Sequence, residues 1–260
     1  MKKIIVTLAA AAAVFMVASC AKDNYDAPEE TFRGAFIDKG TGEPLQVAPG
    51  TSINDGGIRI RMMEYSWSDN PTPYDFFAKQ DGTFNNTKIF KGTYGVIPEG
   101  PFVPLEEIRL DIEGVVEHNF EVEPFLRVEW VDEPKMLDDG TVEIKVRITR
   151  GTDNPDYQAP LNDAWLYVNQ ISYVGSSSYS TLLSTYIPNE EFSNYTLGEV
   201  LTVRTGFPNG YNGGSGDANE FPSISDRPYF FRFAACTETA NSGVKRYNFT
   251  PVKEFVVSVK

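Results

Sequence analysis

The sequence is short of the side chains on which most catalytic and metal sites depend. Its 260 residues include a single histidine, His118, and two cysteines, Cys20 and Cys236. A Ser-His-Asp arrangement would have one candidate base, and neither a Gly-x-Ser-x-Gly elbow nor a His-Glu-x-x-His motif is present. We therefore expect no catalytic residue, no cofactor and no metal ion, and we predict that the protein is not an enzyme.

Positive charge is also scarce. The chain has 23 Lys and Arg residues against 36 Asp and Glu residues, a net charge of −13, and no basic stripe. Such a chain repels a phosphate backbone, which argues against nucleic acid as a partner. The same charge argues mildly against strongly anionic substrates.

A long apolar run opens the chain. Lys2 and Lys3 precede an apolar segment from Ile4 to Val17, and small residues then lead to Cys20. The run is too short to span a bilayer comfortably and indicates a secretory signal. Its end resembles a bacterial lipobox, which predicts a signal peptide over residues 1–19, cleavage before Cys20 and lipid attached to Cys20. An ordinary signal peptide that happens to contain a cysteine is the alternative.

The residues after this signal are polar and rich in acids. We expect residues 20–31 to form a flexible, lipidated tether. With Cys20 acylated, Cys236 has no intramolecular cysteine to pair with. Its position after an aromatic run predicts a small buried apolar residue.

From Phe32 onward the apolar residues alternate with a period of two. Residues 58–62 and 108–112 place apolar and charged side chains on opposite faces, as half-buried strands require. Asp81-Gly82 is a hairpin-type turn signal. The series Val116, His118, Phe120 and Val122 predicts that His118 faces a core. These patterns predict a β-sandwich over residues 32–124.

A second set of strand patterns follows and is clearest over residues 142–148. The spacing predicts an immunoglobulin-like β-sandwich over residues 125–260, so the fold class is all-β with two sandwich domains. Residues 189–197 are the one passage with a possible helix. Residues 206–228 lack a strand pattern, and a loop of that length is usually functional or disordered.

Aromatic side chains give the best indication of a ligand. Strand parity places Tyr65 and Trp67 on the face opposite the core, and Trp67 leads into the polar stretch 68–73, with Tyr74 after it. A flat ring among polar groups suits a sugar, whose C–H face stacks on the ring. We therefore predict glycan binding by Tyr65, Trp67 and Tyr74, with Tyr211 of the long loop as a further candidate. For Trp67, filling a gap between the two domains is an equal alternative.

Other aromatic and acidic groups have plainer interpretations. We expect Trp130 and Trp165 to lie in a core or a contact between domains. Phe207 and Phe221 fit a local cluster that holds the long loop, and a second binding platform is the alternative. The run Asp153 to Asp156 is predicted to be a plain turn, with a calcium loop as the alternative.

Several short motifs of the first predicted domain resemble a carboxypeptidase-regulatory-like, or transthyretin-like, domain. They are Gly34-Ala35-Phe36-Ile37-Asp38, Gly42-Glu43-Pro44-Leu45, Asp81-Gly82-Thr83-Phe84 and Gly92-Thr93-Tyr94. With the lipobox and the immunoglobulin-like second domain, the chain resembles a two-domain family of Bacteroidota outer-membrane lipoproteins of unknown function from Sus-type polysaccharide utilisation loci.

The resemblance implies a lipoprotein on the outer membrane, facing the cell exterior, that captures polysaccharide or oligosaccharide beside a Sus-type importer. It brings no catalytic residues with it. The main alternative is a scaffold lipoprotein that contacts other outer-membrane components and no sugar. A glycoside hydrolase built on a pair of the many carboxylates is a weaker one.

Overall fold

The computed structural model describes residues 27–206, 221, 226–238 and 246–258. These residues form 17 strands, two 3₁₀ turns and one short helix, so the predicted all-β fold class with two sandwiches is confirmed. No helix within the described ranges has the length and hydropathy needed to cross a membrane. The predicted lipidation site Cys20 and the candidate Tyr211 lie outside the described residues, as does Phe207.

The first sandwich contains eight strands in two sheets. One sheet has the order β4-β1-β7, with β8 pairing with β1 beyond β7, and the other has the order β3-β2-β5-β6. The strands are β1 (Glu30–Asp38), β2 (Arg59–Glu64), β3 (Tyr74–Phe77), β4 (Thr83–Ile89), β5 (Gly92–Glu99), β6 (Ile108–Ile112), β7 (Val115–Glu117) and β8 (Phe120–Val122).

Alternation along these strands builds the first core, as the sequence predicts. Ile60 and Met62 of β2 are fully buried, whereas Arg59 and Arg61 face outward. The facing sheet supplies phenylalanine rings, which stack at the centre because a pleated sheet places i and i+2 residues on one face. The largest buried members of this core are Phe32, Phe36, Phe84, Phe102 and Phe120.

The strand predicted around His118 is interrupted in the structure. The His118 N–H donates to the Arg33 carbonyl, and the Asn119 side chain then accepts from the Ala35 N–H at 2.9 Å in place of a backbone carbonyl. This break separates β7 from β8. His118 is therefore half-buried at the surface end of the core, and the prediction of a core-facing histidine in a continuous strand holds only in part.

The second sandwich contains nine strands and the helix α1 (Asn189–Phe192), which is shorter than the predicted 189–197. One sheet has the order β10-β11-β14, with β9 also on β11; the other has the order β13-β12-β15-β16, with β17 also on β15. The strands are β9 (Leu126–Trp130), β10 (Lys135–Met136), β11 (Val142–Arg150), β12 (Leu161–Asn169), β13 (Thr185–Ile187), β14 (Val200–Arg204), β15 (Arg227–Thr237), β16 (Asn248–Phe249) and β17 (Lys253–Val257).

The strongest alternation in the sequence forms the centre of one of these sheets. The apolar members of β11 point into the core, and their charged neighbours face out. Phe221, at the end of the long loop, is buried in the same core, with its ring 4.6 Å from that of Tyr229. For Phe221 the structure therefore favours a packing role over a binding platform.

The two sandwiches meet over a well-packed interface. Ala48 of the first sandwich lies in an apolar cluster with residues of the second, among them Tyr167, Cys236, Tyr247 and Phe249. Gly56 allows the close approach, because its φ is 90° and a Cβ there would lie 2.1 Å from the Tyr247 carbonyl oxygen. The buried Cys236 agrees with its predicted apolar role.

Polar groups fix the interface as well. Arg232 of β15 is fully buried and donates from Nη2 to the Gln80 carbonyl at 3.0 Å and from Nε to the Thr250 carbonyl at 2.9 Å. Arg127 and Asp38 form a two-point ion pair between the sandwiches, with N–O distances of 2.6 and 2.7 Å. Such bidentate pairs set orientation as well as attraction.

Candidate functional site

The surface that carries the predicted aromatic candidates lies on the sheet β3-β2-β5-β6. We call its side turned away from the core the outer face. Because strand register decides which side chains meet there, the pairing of Arg61 with Asp75, of Arg59 with Glu99 and of Thr93 with Asp111 places these groups side by side. The polar members of the outer face are Arg59, Arg61, Asp75, Thr93, Glu99, Arg109 and Asp111.

Ion pairs cross the outer face from strand to strand. Arg61 holds Asp75 at two points, with Nε–Oδ1 and Nη2–Oδ2 distances of 2.9 Å each. Arg59 donates from Nε to Glu99 Oε2 at 2.9 Å and lies 3.6 Å from Asp75 Oδ2. The hydrogen bond with Arg61 lowers the pKa of Asp75 and raises that of Arg61, which keeps both groups charged.

Tyr65 lies at the end of this face, over Gly95. A Cβ on Gly95 would lie 2.8 Å from the Tyr65 ring and 2.3 Å from Glu107 Oε1, so the missing side chain makes room for both. The guanidinium carbon of Arg109 is 3.4 Å from the centre of the Tyr65 ring, and its Nε is 2.8 Å from Glu107 Oε1. One face of Tyr65 is thus covered by a cation, and its hydroxyl donates to Glu107 at 3.4 Å.

Trp67 follows in the loop between β2 and β3. Its side chain is 77% exposed, more than any other large apolar side chain in the described ranges. The loop is held on β5, because Ser66 Oγ accepts from the Thr93 N–H at 2.9 Å and the Tyr65 N–H donates to the Thr93 carbonyl. A side chain that filled a gap between domains would be buried, so that alternative for Trp67 is wrong.

Tyr74 is not brought together with Tyr65 and Trp67. The loop of residues 65–73 resets the strand parity, so Tyr74 shares a side of β3 with Phe76, its ring 6.2 Å away, and Asp75 takes the outer face. The Tyr74 hydroxyl accepts from Asn86 Nδ2 at 2.7 Å and links the edges of the two sheets. Tyr74 is 46% exposed, but on another side of the sandwich.

The remaining tryptophans pack within the molecule, as predicted. Trp165 stacks on Tyr167, with 5.3 Å between ring centres and 4° between planes, and packs against the interface cluster. Trp130 packs against the second core and donates from Nε1 to the Pro251 carbonyl at 2.8 Å.

The polar groups considered for catalysis or metal binding are dispersed. His118 packs its ring 4.7 Å from that of Phe120, and burial lowers its pKa; it lines an open groove of about 620 Å³ with Arg33, Lys79 and Glu117. The run Asp153 to Asp156 leads into the 3₁₀ turn Pro155–Tyr157, where Asn154 caps the turn through the Asp156 N–H. Within the described ranges, no three His, Cys, Asp or Glu residues lie close enough to hold a metal ion.

Comparisons with known proteins agree with this architecture. Residues 30–123 match the family model described as the N-terminal domain of a protein of unknown function, DUF3823. Two solved structures with sequence identities near 20% share the fold. A protein from Bacteroides uniformis ATCC 8492 described as a "putative carbohydrate binding protein" is 21% identical, covering 88% of this chain and 100% of its own, with a TM-score of 0.66. A DUF3823 family protein from Parabacteroides merdae ATCC 43184 is 17% identical, covering 90% and 100%, with a TM-score of 0.60.

No curated protein matches the sequence. A third solved structure is more similar: a DUF3823 family protein from Bacteroides uniformis ATCC 8492 is 31% identical, and the comparison covers 90% of this chain and 100% of that chain, with a TM-score of 0.74. On this similarity over the whole length of the relative, the chain belongs to the DUF3823 family.

Proposed function

We propose that this protein binds polysaccharide without catalysis, through the outer face of the first sandwich, with Trp67 as the main contact. The observation that carries the proposal is the 77% exposure of Trp67 in a polar loop anchored on β5. Exposing an indole to water is unfavourable, so an exposed tryptophan in a loop held by backbone hydrogen bonds favours a binding role.

The chemistry around Trp67 suits a sugar. An indole ring offers a flat apolar surface for the C–H face of a pyranose, while nearby carboxylates and hydroxyls can accept and donate hydrogen bonds to its hydroxyl groups. Thr93 and Asp111 supply such groups at the end of the outer face nearest the loop, joined by a hydrogen bond of 2.6 Å. The Bacteroides uniformis protein that is described as a "putative carbohydrate binding protein" and shares this fold supports the same proposal.

We further propose that the protein is lipidated at Cys20 and held on the exterior of the outer membrane as an accessory to a Sus-type importer. The proposal rests on the lipobox-like sequence before Cys20 and the acidic segment after it.

Affinity electrophoresis against a panel of polysaccharides tests the binding function. We expect at least one glycan to retard the protein and Trp67→Ala to reduce that retardation. Leu182→Ala is the matched control, because Leu182 is a half-exposed apolar residue of the second sandwich. A Trp67→Ala variant that migrates like the parent on every retarding glycan would remove Trp67 from the site, and a parent retarded by none would contradict glycan binding.

A scaffold that contacts an outer-membrane protein is the second candidate, and one observation favours it. The Trp67 loop lies at the end of the sandwich at which β1 begins, which is the end nearest the proposed lipid anchor. Three contacts connect the start of β1 to the loop: the Thr31 N–H donates to the Gly114 carbonyl, Ile112 pairs with Gly92, and the Thr93 N–H donates to Ser66 Oγ. Photo-crosslinking from position 67 in intact cells separates the two functions. A scaffold should capture a membrane protein when no polysaccharide is present.

The glycoside hydrolase alternative has a direct test. Incubating the protein with each retarding glycan and measuring reducing ends should show no increase over a blank. A steady increase would contradict the non-catalytic function.

A further inference from the structure

Each arginine on the outer face is already engaged by a carboxylate, which lies on the same face or, for Arg109, is Glu107 just before β6. From this pairing we infer that the surface selects neutral polysaccharides and rejects anionic ones such as polyuronates and sulfated glycans. The inference rests on the proposed binding function and names the class of ligand. It depends on the charges of the face and on no feature of Trp67.

The pairing is close and geometrically specific. Arg61 is held by Asp75 at two points, and Arg59 is held by Glu99 with Asp75 beside it. Bidentate guanidinium–carboxylate pairs use the same donor fork that would otherwise bind the carboxylate of a uronic acid or a sulfate group. An anionic sugar would therefore have to displace a carboxylate that the protein already supplies.

The cation nearest the aromatic end is engaged in the same way. The guanidinium carbon of Arg109 lies over the Tyr65 ring, and its Nε is 2.8 Å from Glu107 Oε1. Its position on the ring fixes its orientation, and Glu107 neutralises its charge. Tyr65 and Arg109 together thus present a polar, charge-balanced surface next to the Trp67 loop.

With Glu107 counted, the acids of this surface outnumber its three arginines by one. Asp111 adds a carboxylate that is bound to the Thr93 hydroxyl and paired with no cation that the structure shows on the face. On the described strands β2, β3, β5 and β6, the outer face contains no Lys or Arg besides these three. Hydroxyl groups of a neutral sugar can donate to these carboxylates without breaking an ion pair, whereas a polyanion finds each arginine of these described strands already beside a carboxylate.

The experiment compares neutral polysaccharides, such as galactomannan and xyloglucan, with polygalacturonate and dextran sulfate in affinity gels. We expect the parent to be retarded by at least one neutral polymer and by neither polyanion. In Glu107→Gln, Arg109 loses its carboxylate partner, so we expect retardation by polygalacturonate with an affinity at least about tenfold above that of the parent. This gained retardation should fall as NaCl is raised.

Glu121→Gln is the matched control, because Glu121 is exposed on β8 of the other sheet and its substitution changes the net charge equally. Glu99→Gln, which leaves Arg59 with only its 3.6 Å contact to Asp75, is a second variant in case Glu107→Gln does not fold. A parent retarded by a polyanion overturns the selectivity but leaves glycan binding standing. If Glu107→Gln and Glu99→Gln behave like Glu121→Gln, the pairing of arginines with carboxylates is not the cause of the selectivity. A parent retarded by no polymer contradicts the proposed function itself.

Discussion

Two pairs of aromatic residues in this protein have the same spacing, one tyrosine and one tryptophan two positions apart, and opposite surroundings. Tyr65-Ser66-Trp67 and Trp165-Leu166-Tyr167 each place two rings on the side away from their own core. Tyr167 belongs to the interface cluster and is 3% exposed, and Trp165 is partly buried against that cluster, whereas Trp67 is 77% exposed. The difference shows that coverage by the neighbouring sandwich, and not the aromatic pattern, separates a packing surface from a candidate binding surface.

The polar groups beside the two pairs differ in the same way. Next to the covered pair, Asp163 is fully buried and accepts hydrogen bonds from the hydroxyl of Tyr247 and, at 3.4 Å, from the thiol of Cys236. Beside the open pair, the carboxylates are partly exposed and face arginines. Buried polar groups depend on their partners for stability, whereas exposed ion pairs contribute little. The following predictions test this contrast.

The largest expected loss of stability comes from Arg232, which is buried at the interface between the sandwiches. Arg232→Ala removes two hydrogen bonds from a charged donor and the contact with the Phe249 ring, which lies 4.6 Å from the guanidinium carbon. We expect the free energy of unfolding to fall by about 3 kcal/mol or more, measured by denaturant titration. Arg33→Ala, which removes an exposed pair with Glu117, should cost less than about 1 kcal/mol. Equal losses in the two variants would contradict the contrast.

The two tryptophans should give opposite results in two assays. Trp165→Ala opens a cavity at the interface and should lower the free energy of unfolding by about 2–4 kcal/mol, whereas Trp67→Ala should change it by no more than about 0.5 kcal/mol. Loss of the ring stack in Trp67→Ala should weaken retardation by a binding glycan about tenfold. A stability loss in Trp67→Ala comparable to that in Trp165→Ala would assign Trp67 a packing role.

The sequence alone was sufficient for the fold class and for much of the burial pattern. The period of two in β2 and β11 predicts which residues are buried, because a strand alternates its side chains whatever its partners are. It also places Tyr65 opposite the core. Parity likewise predicts Trp67 opposite the core, but Trp67 lies beyond the end of β2, so the degree of its exposure depends on the loop and not on strand alternation.

Other parts of the site depended on register between distant strands. Arg109 reaches Tyr65 because Gly95 pairs with Arg109 and with Met63, and neither pairing can be read from local sequence. A glycine within the strand pattern of β5 was the one available signal. Closeness in sequence predicts Tyr74 beside Trp67, whereas the loop between them turns Tyr74 to the other side of β3.

Alkaline pH should destabilise the fold through the buried tyrosines of the interface cluster. Burial raises the pKa of Tyr247 and of Tyr167 above the value of about 10 that both have in the unfolded chain. Their protonated forms therefore stabilise the fold fully below pH 10, and this contribution is lost as the pH rises above 10 towards the folded pKa values. Each should add a decline of up to about 1.4 kcal/mol per pH unit to the free energy of unfolding.

Tyr247→Phe should make this alkaline decline shallower, since one of the two shifted groups is removed. The measurement is denaturant unfolding at several pH values between 9 and 12, with Leu182→Ala as a surface control that titrates no group. A slope unchanged in Tyr247→Phe would contradict the burial of the Tyr247 hydroxyl at the interface.

The smallest effect is expected at the outer face itself. Arg61 lowers the pKa of Asp75, so the pair contributes stability above the unfolded pKa of about 3.9, and that contribution is lost as the pH falls through the lower folded value. Because both side chains are partly exposed, Asp75→Asn should cost less than about 1 kcal/mol at pH 7, and the difference from the parent should vanish in strong acid. A loss of several kcal/mol would mean that these ion pairs hold the sheet together. The outer face would then be a structural surface like the one beneath Trp165, and its paired charges would no longer favour a role in selecting a ligand.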